Sequence, residues 1–195
     1  IADRLEAHHA RHIVLDPVMV ATSGAKLIDD DAITALTERL FPLAEVITPN
    51  IPETEVLLDL IAHRGASLDP AKWAEDTDRE STRIVSDTAM EDAGRTVSEH
   101  YGCAVLVKGG HGVADASDLL YADGVATWIH GVRVDNPNTH GTGCTLSSAI
   151  ASNLAKGEAL PDAIRHAKDY LTGALGAQLN LGHGSGPMDH AWHWR

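Results

Sequence analysis

The sequence predicts an α/β layered fold on a mostly parallel sheet. Three observations carry that reading. Short β-branched, apolar runs alternate with longer segments of helical periodicity, the order expected of β-α-β units. The runs are apolar at consecutive positions, as in strands covered on both faces. One hairpin signal, Asp123-Gly124, joins Leu119-Leu120-Tyr121 to Val125-Ala126-Thr127-Trp128-Ile129 and adds an antiparallel pair. At 195 residues the elements fit one domain, 1–195.

Each element follows from its residues. Ile1 to Ala7 reads as the middle or end of a helix. His12 to Asp16 is a buried strand, and Pro17 takes the chain out of it. Gly24 lies in the loop beyond. Asp30 caps a helix with Ile33, Leu36 and Leu40 on one face. Glu45 to Thr48 is the next strand. Pro49 and Pro52 bracket Asn50, and Pro52 suits the first turn of a helix carrying Val56, Leu57 and Leu58. Residues 59–82 are polar, with Gly65, Pro70 and Trp73, and read as an irregular excursion. A helix with Met90, Ala93 and Val97 precedes the strand Cys103 to Lys108, which ends in Gly109-Gly110. After the hairpin, a glycine-rich turn at Gly141 opens one helix. Pro161 opens another, with Ile164, Lys168, Leu171 and Leu175 on one face. Gly182 to Pro187 is a loop.

Composition limits the function. A net charge of −13 argues against nucleic acid or an anionic membrane as partner. A polyphosphate ligand would need local cations or a metal to offset it. No apolar run reaches membrane-spanning length, and no charged-then-apolar leader is visible. The two cysteines are too few for a disulfide framework, so a reducing cytoplasm is the expected location. Among the 12 histidines, His8, His9 and His12, and also His190 and His193, lack zinc-ligand spacing and read as surface residues.

The segment Asn138-Thr139-His140-Gly141-Thr142-Gly143-Cys144-Thr145 carries the chemistry. A glycine-rich turn entering a helix aims free N–H groups in one direction, at the positive end of the helix dipole. Such a cradle suits phosphate oxygens. A thiol there, Cys144, is polarised by the same field and could take a proton from an attacking hydroxyl. Read alone, the turn could instead simply start a helix, and Cys144 could be a structural thiol. Asn50 and Glu53 suit Mg²⁺, which prefers oxygen ligands. They equally suit an N-cap followed by a first-turn acid. Asp16 is either a metal-adjacent acid or a turn residue. Lys108 either neutralises phosphates or simply ends its strand.

Four segments occurring in order resemble one family. They are Asp16-Pro17-Val18-Met19, Thr48-Pro49-Asn50-Ile51-Pro52-Glu53, Val107-Lys108-Gly109-Gly110-His111 and the Gly141 stretch above. Together they resemble the hydroxymethylpyrimidine phosphate kinases of thiamine biosynthesis, in the ribokinase superfamily. The likeness runs from about Val14 to His190, with Gly186-Pro187 like the closing segment. It implies a ribokinase-like three-layer α/β/α fold and an ATP- and Mg²⁺-dependent kinase. That kinase would phosphorylate 4-amino-5-hydroxymethyl-2-methylpyrimidine and then its monophosphate. Gly141, Thr142 and Gly143 would form the anion hole, with Cys144 as base. Asn50 and Glu53 would organise Mg²⁺ and phosphate, with Glu53 the metal residue. Asp16 and Lys108 would meet the triphosphate, Lys168 would flank the nucleotide, and Val18 and Met19 would lie near the pyrimidine. The partner implied is this small molecule, with a homodimer left open.

Two alternatives stand beside this reading. Related kinases accept pyridoxal, although Cys144 favours the pyrimidine, since many vitamin B6 kinases carry aspartate there. A non-catalytic fragment that keeps the kinase fold is the other. Family members also carry a leading region, with a first strand and an Asp-x-Ser-Gly-Gly-Ala-Gly segment walling the pyrimidine pocket. Because Ile1 already lies in helix-like sequence, the chain reads as N-terminally truncated. These 195 residues alone are then expected to leave a sheet edge exposed, to bind ATP weakly at best and to show no turnover.

Overall fold

The computed structural model describes residues 1–19, 27–62, 82–109, 116–136, 140–179, 181 and 186–194. Helix α1 (Ala2–Ala7) precedes strand β1 (Val14–Leu15), and α2 (Asp30–Ala35) leads to β2 (Val46–Ile47). Helices α3 (Ile51–Ala62) and α4 (Asp87–Tyr101) then precede β3 (Ala104–Val107). The hairpin β4 (Asp118–Ala122) and β5 (Val125–Ile129) is followed by α5 (Thr142–Ala155) and α6 (Leu160–Gly176).

Among the described residues five strands form one sheet in the order β1-β2-β3-β4-β5. The first three are parallel, with Val14 beside Val46 and Val46 beside Ala104. The hairpin continues the sheet antiparallel to β3. Its turn residues Asp123 and Gly124 have φ of 51° and 77°, the left-handed pair that a two-residue hairpin of matching twist requires.

Strand alternation sorts the core into two layers. Ile47, Val105, Val107 and Leu119 face α3 and α4, packing against Val56, Leu57, Met90 and Val97. Val46, Leu106, Leu120 and Ile129 face α5 and α6, packing against Ile150, Leu154 and Ile164. The result is the three-layer α/β/α arrangement. Leu106 is fully buried in the second layer. Leu106→Ala is therefore expected to destabilise the fold by about 2–5 kcal/mol, read as a lower denaturation midpoint at unchanged slope.

Some boundaries differ from the sequence reading. Asp29, not Asp30, holds the N-cap position of α2. Beyond Ala35 the chain widens into a π turn (Leu36–Leu40) and tightens into a 3₁₀ turn (Phe41–Leu43) that buries Phe41. Apolar spacing cannot distinguish these from plain α-helix. The start of the 59–82 segment is the last turn of α3. Its residues 63–81, together with Gly24, Gly110, His111, Asn138, Thr139 and 182–185, lie outside the described residues.

Candidate active site

Parallel strands bring their carboxyl ends to one edge, and there Asp16, Asn50 and Lys108 meet. An isolated parallel bridge pairs Asn50 with Lys108 just past β2 and β3. The Lys108 ammonium donates to Asp16 Oδ1 at 2.7 Å, and Thr48 Oγ1 donates to the same oxygen at 3.2 Å. The Lys108 amide donates to the Pro49 carbonyl at 2.8 Å.

Asn50 and Glu53 form a capping box. Glu53 N donates to Asn50 Oδ1 at 2.8 Å, and Asn50 N donates back to Glu53 Oε2 at 2.9 Å. Met19 N donates to the other oxygen, Oε1, at 3.3 Å. One buried carboxylate thus ties the loop after β1 to the end of β2 and the start of α3. Glu53 is 2% exposed. Burial pushes its carboxyl above the usual range, while the Asn50 amide and the Lys108 ammonium pull it back down.

The opening of α5 faces this edge. Gly141 is its N-cap, at φ 82°, a left-handed backbone that favours glycine. The first intrahelical bond runs from Thr145 N to Gly141 O. The amides of Thr142, Gly143 and Cys144 precede it and so have no carbonyl within the helix. A β carbon on Gly143 would stand 3.1 Å from Asp16 Oδ2 and 3.4 Å from Lys108 Nζ. The first turn of the helix therefore lies directly against the ion pair. Four regions distant in sequence converge here: Asp16, Asn50 with Glu53, Lys108, and the Gly141 turn.

Cys144 is exposed, on the side of α5 that opens into a groove of about 660 Å³. Thr145, Ser148, Ser152, Tyr170 and His190 also line it. Cys103 is buried, and burial pushes its thiol up to about 11. A thiol-specific reagent at about pH 8 is expected to label Cys144 alone in the native protein and both cysteines in denaturant. Mass spectrometry of the labelled peptides reads the result.

The remaining sequence candidates separate. Met19 is 1% exposed and packs in the core with Ile33 and Phe41, whereas Val18 is 45% exposed. Lys168 is buried on α6, donating to Asp118 Oδ2 at 2.6 Å and to the Ala116 carbonyl at 2.5 Å. Asp118 Oδ1 accepts the Gly109 amide at 2.9 Å. Burial pushes the Asp118 carboxyl up, with the Lys168 ammonium opposing it. The sequence reading passed over Asp118. Its available signal was an acid heading the otherwise apolar run Leu119-Leu120-Tyr121.

Over residues 1–76 and 74–189 the sequence matches the family described as phosphomethylpyrimidine kinase. The chain belongs to this family. A hydroxymethylpyrimidine/phosphomethylpyrimidine kinase of Haemophilus influenzae is 38% identical over 97% of this chain and 64% of its own length. The Geobacter sulfurreducens thiamine biosynthesis bifunctional protein ThiED is 42% identical over 97% of this chain and 34% of its own. The chain thus spans less than two thirds of these relatives. Among solved structures, the Staphylococcus aureus pyridoxal kinase in complex with AMP-PCP superposes with TM-score 0.79 at 25% identity. The match covers 100% of this chain and 63% of that one. The Clostridium difficile phosphomethylpyrimidine kinase superposes with TM-score 0.64 at 30% identity, over 88% and 60%. The fold is ribokinase-like α/β.

Proposed function

We propose that this protein transfers the γ-phosphoryl group of ATP to the hydroxymethyl group of 4-amino-5-hydroxymethyl-2-methylpyrimidine, and then to the monophosphate so formed. One observation carries the reading: the amides at the start of α5, which have no carbonyl within the helix, lie against the Lys108–Asp16 pair, the contact that would be closed by a β carbon on Gly143. The relatives named as pyrimidine kinases, and the neighbour solved with AMP-PCP, support it.

In this mechanism Cys144 accepts the proton of the attacking hydroxyl. The new O–P bond forms as the bond to the β,γ-bridging oxygen breaks, and ADP leaves. Charge spreads over the three oxygens of the moving group, where the amides of Thr142, Gly143 and Cys144 and the Lys108 ammonium stabilise it without reorganising. Gly141 supplies the left-handed turn that aims those amides. Val18, on the exposed side of the loop after β1, faces the pyrimidine, and the buried Met19 backs it.

The residues present fit Mg²⁺. Asp16, Asn50 and Glu53 offer oxygen atoms as ligands; among the described residues no group of three or more His, Cys, Asp or Glu could hold a metal ion by itself, so substrate phosphates and waters would have to complete the set. Mg²⁺ commonly keeps waters and uses one or two carboxylates together with substrate phosphates. Asp16 and Glu53 would hold it, with Asn50 beside them on the same strand edge. When bound, it neutralises phosphate charge. Among the described residues no helix is long and apolar enough to cross a membrane, and a cytoplasmic setting goes with ATP consumption.

Pyridoxal is the second substrate to test, because pyridoxal kinases superpose well on this chain. The full-length protein, given ATP, Mg²⁺ and both alcohols together, is expected to phosphorylate the pyrimidine preferentially. Preferential phosphorylation of pyridoxal would reverse the substrate assignment, and transfer to neither would refute the kinase reading.

A further inference from the structure

We infer that Asp118, with Lys168 as its counter-ion, is a positioning residue that holds the end of β3 so that Lys108 meets the nucleotide phosphates. The inference rests on the kinase reading above. Lys108 is fixed at both of its peptide groups. Its own amide donates to Pro49 O, and the next amide, Gly109 N, donates to Asp118 Oδ1 at 2.9 Å. From between those anchors its ammonium reaches Asp16 Oδ1 at 2.7 Å.

The packing around this anchor is close. A β carbon on Gly109 would fall 2.1 Å from the Ser117 carbonyl, so only glycine lets β3 approach the start of β4 at this depth. A β carbon on Gly131 would fall 2.8 Å from both the Ala116 carbonyl and Lys168 Cε. The Lys168 ammonium is thus held between Ala116, Gly131 and Asp118. Asp118 is 4% exposed and Lys168 9%.

A buried ion pair is often replaceable by apolar residues without loss of stability. Stability alone therefore does not account for one whose carboxylate grips the amide next to Lys108. Glu53 does the same for the loop after β1 and the end of β2, taking amides from Met19 and Asn50. Two buried carboxylates thus hold the segments that leave three strands. In this role Lys168 acts on the nucleotide through Asp118 and Gly109, in place of flanking it directly.

The test compares Asp118→Ala/Lys168→Met with Asp118→Asn/Lys168→Met in the full-length protein, each made with and without Lys108→Met. Changing Lys168 in both avoids stranding a buried charge. The readouts are hydrogen exchange of the Gly109 amide and calorimetric affinity for AMP-PCP with Mg²⁺. The alanine variant is expected to speed Gly109 exchange and weaken AMP-PCP binding, each about tenfold. The asparagine variant, which keeps an oxygen for Gly109, is expected to recover affinity to within about threefold of wild type. In the Lys108→Met background the alanine change should cost less than about twofold, because the residue being positioned is gone. Unchanged AMP-PCP affinity in the alanine variant, or an equal loss with and without Lys108, would overturn the inference. Wild-type protein that does not bind AMP-PCP would overturn the kinase reading and this role with it, a failure distinguished by appearing before any substitution. Should the alanine variant not fold, Asp118→Leu/Lys168→Met, which likewise offers Gly109 no acceptor, takes its place: a loss of affinity that depends on Lys108 upholds the role, and unchanged affinity or a Lys108-independent loss overturns it.

Discussion

Gly143→Ala is expected to lower kcat/KM for phosphoryl transfer by on the order of 10²-fold or more while changing stability by no more than about 1 kcal/mol. The two halves of that expectation have separate causes. Gly143 sits in the first turn of α5, and alanine at a helical position is favoured over glycine by up to about 1 kcal/mol. The added methyl, however, would stand 3.1 Å from Asp16 Oδ2, tighter than ordinary contact, and 3.4 Å from Lys108 Nζ. Either the ion pair or the helix must shift, and the space between amides and cations narrows where the phosphoryl group has to pass. A similarly stable yet nearly inactive protein would separate the cradle from the fold. Thermal melts and steady-state kinetics on one preparation read both. Unchanged kinetics would mean that the moving phosphate does not pass between α5 and Lys108.

Cys144→Ser is expected to reduce kcat by about 10²–10³-fold with nucleotide affinity close to wild type. A cysteine thiolate accepts a proton where a neutral serine hydroxyl does not, while the backbone amide at position 144 is unchanged by the substitution. Loss confined to turnover is therefore the signature of a base. Equal loss in AMP-PCP affinity would show that the substitution had disturbed the cradle itself. Unchanged kcat would remove Cys144 from proton transfer. The exposed position of its side chain leaves it open to an incoming alcohol.

Much of this site can be read in the sequence because its parts are local. Pro17, Pro49 and Gly109 mark where three strands stop, and parallel pairing brings those stops to one edge. Asn50-x-x-Glu53 reads either as an N-cap with a first-turn acid or as a Mg²⁺ pair, and the geometry shows the cap, with the same carboxylate also anchoring Met19. What the sequence hides is long-range pairing. Nothing near Asp118 announces Lys168, 50 positions away, or the Gly109 amide that its other oxygen accepts. Val18 and Met19 look equivalent in sequence, yet backbone direction exposes one and buries the other. The π turn after α2 is likewise invisible, because five residues are too few to show a period of their own.

A crystal structure of the full-length protein with AMP-PCP, Mg²⁺ and the pyrimidine alcohol tests the central claim most directly. The account predicts the terminal phosphate within hydrogen-bonding distance of the Thr142, Gly143 and Cys144 amides and of Lys108 Nζ, with the alcohol oxygen beside the Cys144 sulfur. A terminal phosphate bound elsewhere, for example along the groove lined by Ser148, Ser152 and His190, would contradict it.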